Sequence, residues 1–337
     1  KHIQRLSSPA YLRSITKQGR RGSAPYCGFA SATEGSDWIV QCARRENKRP
    51  LYILVWGGLE DVAQALHDAP DIQSKIRIYW IGGPNKKWSI NSYTYIVQNF
   101  PDLWFIENNA SYRGFIYQSK INDQYNALYY DTYIKDAGYL GKDFAHYYKG
   151  NPKLGDTPAL LYMMDGDPDN PAKESWGGSF DLCTHSPRSV FYRPVTAKDT
   201  VQVYSIIEFH VAGPVRNDIP IDSACITLTI GKQKWGGYHI GNGDYVVRHS
   251  TYYLGTLPYT ITSNIPEFPN QEGEITVENI WPGRIRDTDY IVGNKWFTDK
   301  SASEYFWKNY QGAQTIYKWR NAVMEDWGKR WEWLKKE

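Results

Sequence analysis

Cysteine and methionine are scarce, with four and three copies among 337 residues. Cys27, Cys42, Cys183 and Cys225 stand far apart, without a Cys-x-x-Cys pair or metal-ligand spacing, which argues against a zinc ribbon or a dithiol redox site. A disulfide stays open, and spacing alone does not pair it. No apolar run approaches the roughly 20 residues that span a bilayer, and no basic start followed by an apolar segment marks a signal peptide. A long block of one charge sign is also missing: 39 basic and 36 acidic residues leave a net +3, so no nucleic-acid partner is expected. The seven histidines are scattered, none beside a Ser or Cys in a nucleophile-like turn. His185 and His249 read as surface or packing residues.

What is abundant is Trp and Tyr. There are 14 Trp and 27 Tyr against 11 Phe, which weights the rings toward those with a polar handle. Such rings fill cores and interfaces, and they also match a sugar, whose C–H face stacks on an indole while neighbouring polar groups meet its hydroxyls. At 41% hydrophobic content the chain can bury a large core, and its length suggests about two domains.

Two stretches repeat one pattern, a buried-looking strand running into a glycine pair: Leu51-Tyr-Ile-Leu-Val-Trp-Gly57-Gly58 and Ile76-Arg-Ile-Tyr-Trp-Ile-Gly82-Gly83. This is the grammar of a parallel α/β sheet, in which ligands sit at the carboxyl ends of strands. The first pair leads into a helix with Leu59, Val62, Ala63 and Leu66 on one face, so a site is expected where Trp56, Gly57, Gly58, Glu60 and Asp61 emerge. A helix is expected over 36–44, with Ser36 as N-cap and Trp38, Ile39, Cys42 and Ala43 on one face, after a loop-like basic segment running to Arg21. Leu103–Ile106 reads as a third strand, followed by the polar run Glu107-Asn-Asn-Ala-Ser111. Residues 156–164 read as a strand that spills Asp165, Asp167 and Asp169 into a turn, a pattern that suits a hard cation such as calcium and equally an ordinary exposed turn.

The code changes near Pro194. Short alternating strands follow over 201–207, 224–230, 245–249, 259–262 and 273–277, with Gly241-Asn-Gly-Asp244 as a tight-turn signal. Their spacing predicts a β-sandwich over 194–281. From 282 a helical code returns, and Ile316, Trp319, Val323, Met324, Trp327, Trp331 and Leu334 share one face, as in a helix that docks back on the α/β part. The expected domains are thus α/β over 1–193, an inserted sandwich over 194–281, and a closing helical segment over 282–337.

Thr33-Glu-Gly-Ser-Asp-Trp-Ile-Val40, Val55-Trp-Gly-Gly-Leu-Glu-Asp-Val-Ala-Gln-Ala-Leu66, Asn109-Ala-Ser-Tyr-Arg-Gly114, Gly155-Asp-Thr-Pro158 and Trp176-Gly-Gly178, with Trp296-Phe-Thr-Asp299 and Thr315–Arg320, together resemble the nucleoside hydrolase-like proteins of bacterial polysaccharide-degrading systems. The resemblance covers roughly residues 5–190 and 283–337. Gly241–Arg248 and Leu254–Ser263 resemble an immunoglobulin-like module of the kind joined to glycoside hydrolases. The first resemblance implies an α/β nucleoside hydrolase-like fold and a calcium-dependent glycosidase that passes through an oxocarbenium-like transition state. It implies Glu60, Asp165 and Asp167 near the metal, and Trp56, Asp61, Asn108, Asn109, Tyr112, Arg113 and Trp176 around the sugar. The aspartate cluster of true nucleoside hydrolases does not precede Leu6, which implies a chain that starts after that family's first strand. A secreted, periplasmic or cell-surface protein that binds or hydrolyses a polysaccharide is therefore expected. The alternatives are a non-catalytic sugar receptor, with Trp235 and Tyr238 in a row on the sandwich, and a homo-oligomer or subunit of a surface assembly.

Overall fold

The computed structural model describes residues 7–116, 128–146 and 154–335, and the chain divides into two compact units. One unit takes Lys17–Asn109 and Leu182–Thr298; the other takes Lys1–Thr16, Ala110–Asp181 and Asp299–Glu337.

Strands and helices of the described residues are numbered in chain order. Strands β1 (Leu51–Val55), β2 (Ile76–Ile81) and β3 (Trp104–Asn108) are parallel neighbours, with Val55 opposite Trp80 and Trp80 opposite Glu107. With β4 (Phe180–Leu182) and the last strand, β15 (Trp296–Asp299), they form a sheet in the order β1-β2-β3-β15-β4. Every residue of β3 is buried, as expected for a strand covered on both faces. Helix α1 is Pro9–Ile15, α2 is Glu34–Ala43, α3 is Glu60–Asp68 and α4 is Ile90–Asn99. The face expected of α3 is the buried one: Leu59, Ala63 and Leu66 are fully enclosed and Val62 nearly so. Full burial of a leucine such as Leu66 contributes about 1.5–3 kcal/mol.

Between β4 and β15 the chain adds the pair β5 (His185–Ser186) and β14 (Tyr290–Ile291) and an eight-stranded sheet. The latter comprises β6 (Arg188–Phe191), β7 (Thr200–Gln202), β8 (Ile206–Ala212), β9 (Ser223–Ile230), β10 (Gln233–Gly241), β11 (Asp244–His249), β12 (Gly255–Ser263) and β13 (Gln271–Glu278). Their order is β6-β8-β11-β10-β9-β12-β13-β7, antiparallel except for the outermost pairs, β6 with β8 and β13 with β7. The sheet curls over itself, because Phe209 of β8 reaches Tyr259 of β12, ring to ring at 4.9 Å, although three strands lie between them. Asn242 (φ 51°) and Gly243 (φ 73°) make the β10–β11 turn, the two left-handed residues that a two-residue hairpin favours.

The second unit contains α1, α5 (Gly138–Phe144), α6 (Thr157–Asp165), α7 (Gln314–Tyr317) and α8 (Arg320–Trp331). Its core joins Phe115, Tyr129, Ile134, Leu161, Ile316, Val323, Met324 and Trp331.

Several expectations are corrected. The 156–164 segment is helix α6, because Pro158 opens it and Pro158, Ala159, Leu161 and Tyr162 are its buried residues; a short apolar run does not by itself separate strand from helix. Helix α2 is capped one turn earlier than Ser36: Thr33 Oγ1 accepts from Ser36 N and Ser36 Oγ accepts from Thr33 N, both at 2.9 Å, a reciprocal cap. Part of the basic loop-like start is α1, capped by Ser8. The 201–207 segment is two strands, interrupted at Tyr204, whose φ is 60°. The closing helix is split into α7 and α8, although its apolar residues do share one core.

Candidate functional site

At the carboxyl end of β3, Glu107 and Asn108 stay inside the strand rather than in a loop. A carboxylate tolerates full burial only when it is paired and hydrogen-bonded. Glu107 satisfies this completely. It accepts from Lys86 Nζ, from Asn109 Nδ2 at 2.8 Å, from Tyr93 Oη at 2.8 Å and from Trp296 Nε1 at 3.0 Å. Lys86, itself wholly enclosed, also donates to the Tyr204 carbonyl at 2.9 Å and lies 4.3 Å and 4.0 Å from the ring centres of Tyr93 and Trp281. This hub ties β3, α4, β15 and the turn before β8 together, and composition gave no sign of it.

The second glycine pair serves the same end. Gly83 (φ 45°) donates to Asn109 Oδ1 at 2.9 Å, and a Cβ on Gly82 would stand 2.6 Å from that oxygen, so the pair cradles a buried Asn side chain. Asn108 donates to Tyr79 Oη at 2.9 Å and is fully buried.

Around the first glycine pair, Trp56 is 53% exposed. Trp80 Nε1 fixes the turn by donating to the Gly57 carbonyl at 2.8 Å. Asp61 accepts from Arg20 N at 3.1 Å and from Thr33 Oγ1 at 2.6 Å, which anchors the segment before α2. Glu60 is half-buried, and burial pushes its carboxyl above the usual range despite opposing contacts from its own backbone and Ser89.

Tyr112, Arg113, Trp176, Asp165 and Asp167 belong to the other unit. Tyr112 is buried, and the Arg113 guanidinium lies 5.1 Å and 5.4 Å from the ring centres of Tyr112 and Tyr310. Trp176 packs on the core of that unit, and its backbone N–H donates to Asp165 at 3.1 Å. A Cβ on Gly177 would overlap the backbone of Tyr162, so the Trp-Gly-Gly motif lets this loop lie against α6. Asp167 accepts from Asp169 N at 3.1 Å and Asn170 N at 3.2 Å; the Asp169 N–H leads in holding its carboxyl below the usual range. Asp299 accepts from Ala110 N at 2.8 Å, Ser111 N at 3.1 Å and Ser111 Oγ at 2.5 Å.

Among the described residues no group of three or more His, Cys, Asp or Glu is arranged to hold a metal ion. Glu60 lies in one unit and Asp165 and Asp167 in the other, and both aspartates already accept backbone N–H groups. All four cysteines carry free thiols.

The sequence singled out Trp235 and Tyr238 but missed what surrounds Trp235. Lys87, Trp88, Tyr252 and Tyr253 gather beside it, whereas Tyr238 is half-buried and directs its hydroxyl to the Ala24 carbonyl at 3.3 Å. The usable signals were the Lys-Lys-Trp run after the second glycine pair and the Tyr252-Tyr253 doublet.

A parallel sheet whose strands end in glycine and asparagine, with a mostly antiparallel sheet between its last strands, defines a nucleoside hydrolase-like α/β protein with an added β module. The chain belongs to the family described as cellulose-binding Sde182, nucleoside hydrolase-like domain, whose profile matches residues 1–180. No curated protein matches it. Among solved structures, it is 18% identical to a nucleoside hydrolase-related hypothetical protein from Saccharophagus degradans that is associated with carbohydrate metabolism, over 81% of this chain and 82% of that one, with a TM-score of 0.40. It is 24% identical to a putative glycoside hydrolase from Bacteroides vulgatus, over 25% of this chain and 17% of that one, with a TM-score of 0.22.

Proposed function

We propose that this chain binds a cellulose-type polysaccharide and does not cleave it by itself. The family description supports the partner. The observation that carries recognition over turnover is that the carboxylates of Asp61, Glu107 and Asp299, near the carboxyl ends of β1, β3 and β15, each accept at least two hydrogen bonds from protein donors. A glycosidase of the usual kind needs two carboxyl groups that face the scissile bond, one to give a proton and one to attack or to activate water. The abundant Trp and Tyr suit recognition of sugar faces. The curled eight-stranded sheet is read as an immunoglobulin-like spacer, which its hairpin-rich antiparallel order supports. A polysaccharide partner implies a secreted, periplasmic or cell-surface setting.

Glu60 favours a second reading. A half-buried carboxyl raised by burial, at the start of a helix that follows a strand's carboxyl end, suits a proton donor. The test is retention of the protein on swollen cellulose together with release of reducing ends. Retention without release is expected. Release that Glu60→Gln abolishes would establish hydrolysis instead, and absence of retention would overturn the partner.

A further inference from the structure

A lysine buried without a counter-charge marks a place built for something else, and Lys87 is such a residue. It ends the 3-10 turn Gly83–Lys87 that follows β2 and is only 4% exposed. Among the described residues no carboxylate pairs with it, and its one hydrogen bond is from Nζ to Gln233 Oε1 at 2.8 Å. Three aromatic faces surround the ammonium instead, with ring centres at 4.4 Å (Trp88), 5.1 Å (Tyr252) and 5.7 Å (Trp235). Such contacts hold both the cation and the rings in place.

The rings lead to the surface. Trp88 is 47% exposed and Tyr253 51%. Tyr253 stacks on Tyr252 at 4.3 Å, with the two hydroxyls hydrogen-bonded at 2.9 Å, so it is stiffened from below. Among the described residues, the buried indole N–H of Trp235 and Nδ1 of His249, whose rings are 5.3 Å apart, have no hydrogen-bond partner. The patch therefore combines exposed rings with a buried ammonium that holds them in place.

We infer that Trp88, Trp235 and Tyr253, braced by Lys87 and Tyr252, form a binding patch for a single neutral glycan chain. Exposed indole and phenol faces match the C–H faces of pyranose rings, and the Tyr253 hydroxyl matches their hydroxyls, while Lys87 stays buried and braces the rings. The planes of Trp88 and Trp235 are inclined by 55° with centres 6.3 Å apart. Rings so inclined do not make a flat platform for a crystalline cellulose face; they suit one chain that lies across their exposed edges and faces. This inference rests on the proposed polysaccharide partner and narrows it to a place on the surface and to a single chain.

The experiment is titration calorimetry of the full chain with cellohexaose, beside retention on swollen and on crystalline cellulose, for wild type, Trp88→Ala, Tyr253→Ala and Trp88→Phe. Wild type is expected to bind cellohexaose and swollen cellulose in preference to crystalline cellulose. Each alanine variant is expected to bind about tenfold more weakly or worse, and Trp88→Phe to keep most of the affinity. Unchanged circular dichroism separates lost contact from misfolding. Wild-type affinity in both alanine variants would overturn the patch and leave the polysaccharide reading intact. Equal binding to crystalline cellulose would overturn the single-chain geometry. Binding only to a polyuronate would overturn the neutral class, and binding of no glycan would overturn the polysaccharide reading together with the patch.

Discussion

Lys86 and Glu107 form an ion pair with no solvent exposure on either side chain. Removing one partner of such a pair leaves an uncompensated charge in the core, which costs about 3–5 kcal/mol. Lys86→Met is therefore expected to lower stability by that amount in urea denaturation. Glu107 keeps its donors from Asn109, Tyr93 and Trp296, so adding Glu107→Gln to Lys86→Met neutralises the charge and is expected to recover part of the loss. A double variant as unstable as the sum of the single changes would show that the two residues are not coupled.

Acid sensitivity is expected from His249. Burial, with a smaller contribution from the charge of Lys87, lowers its pKa from 6.5 to about 3, so the folded protein holds it neutral. Between those values the unfolded chain binds a proton that the folded chain does not. Stability from this group is then complete above about pH 6.5 and declines toward pH 3, by up to about 1.4 kcal/mol per pH unit. Urea midpoints measured from pH 7 to pH 4 should fall less steeply in His249→Phe than in wild type.

The β10–β11 turn sets the register of its hairpin. Gly243 has φ 73°, and a Cβ there would stand 2.5 Å from the Gly213 carbonyl oxygen. Gly243→Ala is expected to cost at least about 1 kcal/mol, read as a lower thermal midpoint, from strain at a left-handed position. Gly231→Ala gives the comparison: its φ is 57°, but nothing lies within 4 Å of its Cβ position, so its loss should be smaller.

Asp299 offers a handle in the other unit. Both of its oxygens face N–H or O–H donors from Ala110 and Ser111, so the amide of Asp299→Asn would turn a donor toward a donor. A loss of about 1–3 kcal/mol is expected. Faster amide exchange at Ala110 and Ser111 would locate it, and unchanged exchange there would remove Asp299 as their anchor.

The parallel sheet was legible because β1 and β2 are largely apolar runs, broken only by Arg77, that lead into glycine pairs, and α3 because Leu59, Val62, Ala63 and Leu66 recur at helical spacing. The strands of the curled sheet were legible where polar and apolar residues alternate, as in β9 and β13, but not in β10, whose Gly236 and Gly237 break the signal. Helix α6 was read as a strand because its apolar residues run without a break from Pro158 to Met164, so no helical period shows. The site was less legible for a physical reason. Asn109, Asp61 and Trp176 are the polar and aromatic residues a ligand would want, yet each meets a need of the protein first: a carboxylate to hold, a loop to anchor, a helix to cover. Conversely, Lys87 and Trp88 adjoin in sequence, but Trp235 and Tyr252 reach them only through the fold.

The unit that holds Asp299 is assembled from three separated stretches of chain, and its apolar cluster needs Phe115 and Leu161 from the middle one and Ile316, Val323 and Trp331 from the last. On a ribosome the middle stretch emerges early and must wait, with its apolar face uncovered, while the eight-stranded sheet and β15 are made. Completion of this core is a late event in synthesis, and the interval before it is when the nascent chain is most exposed to aggregation and to chaperones.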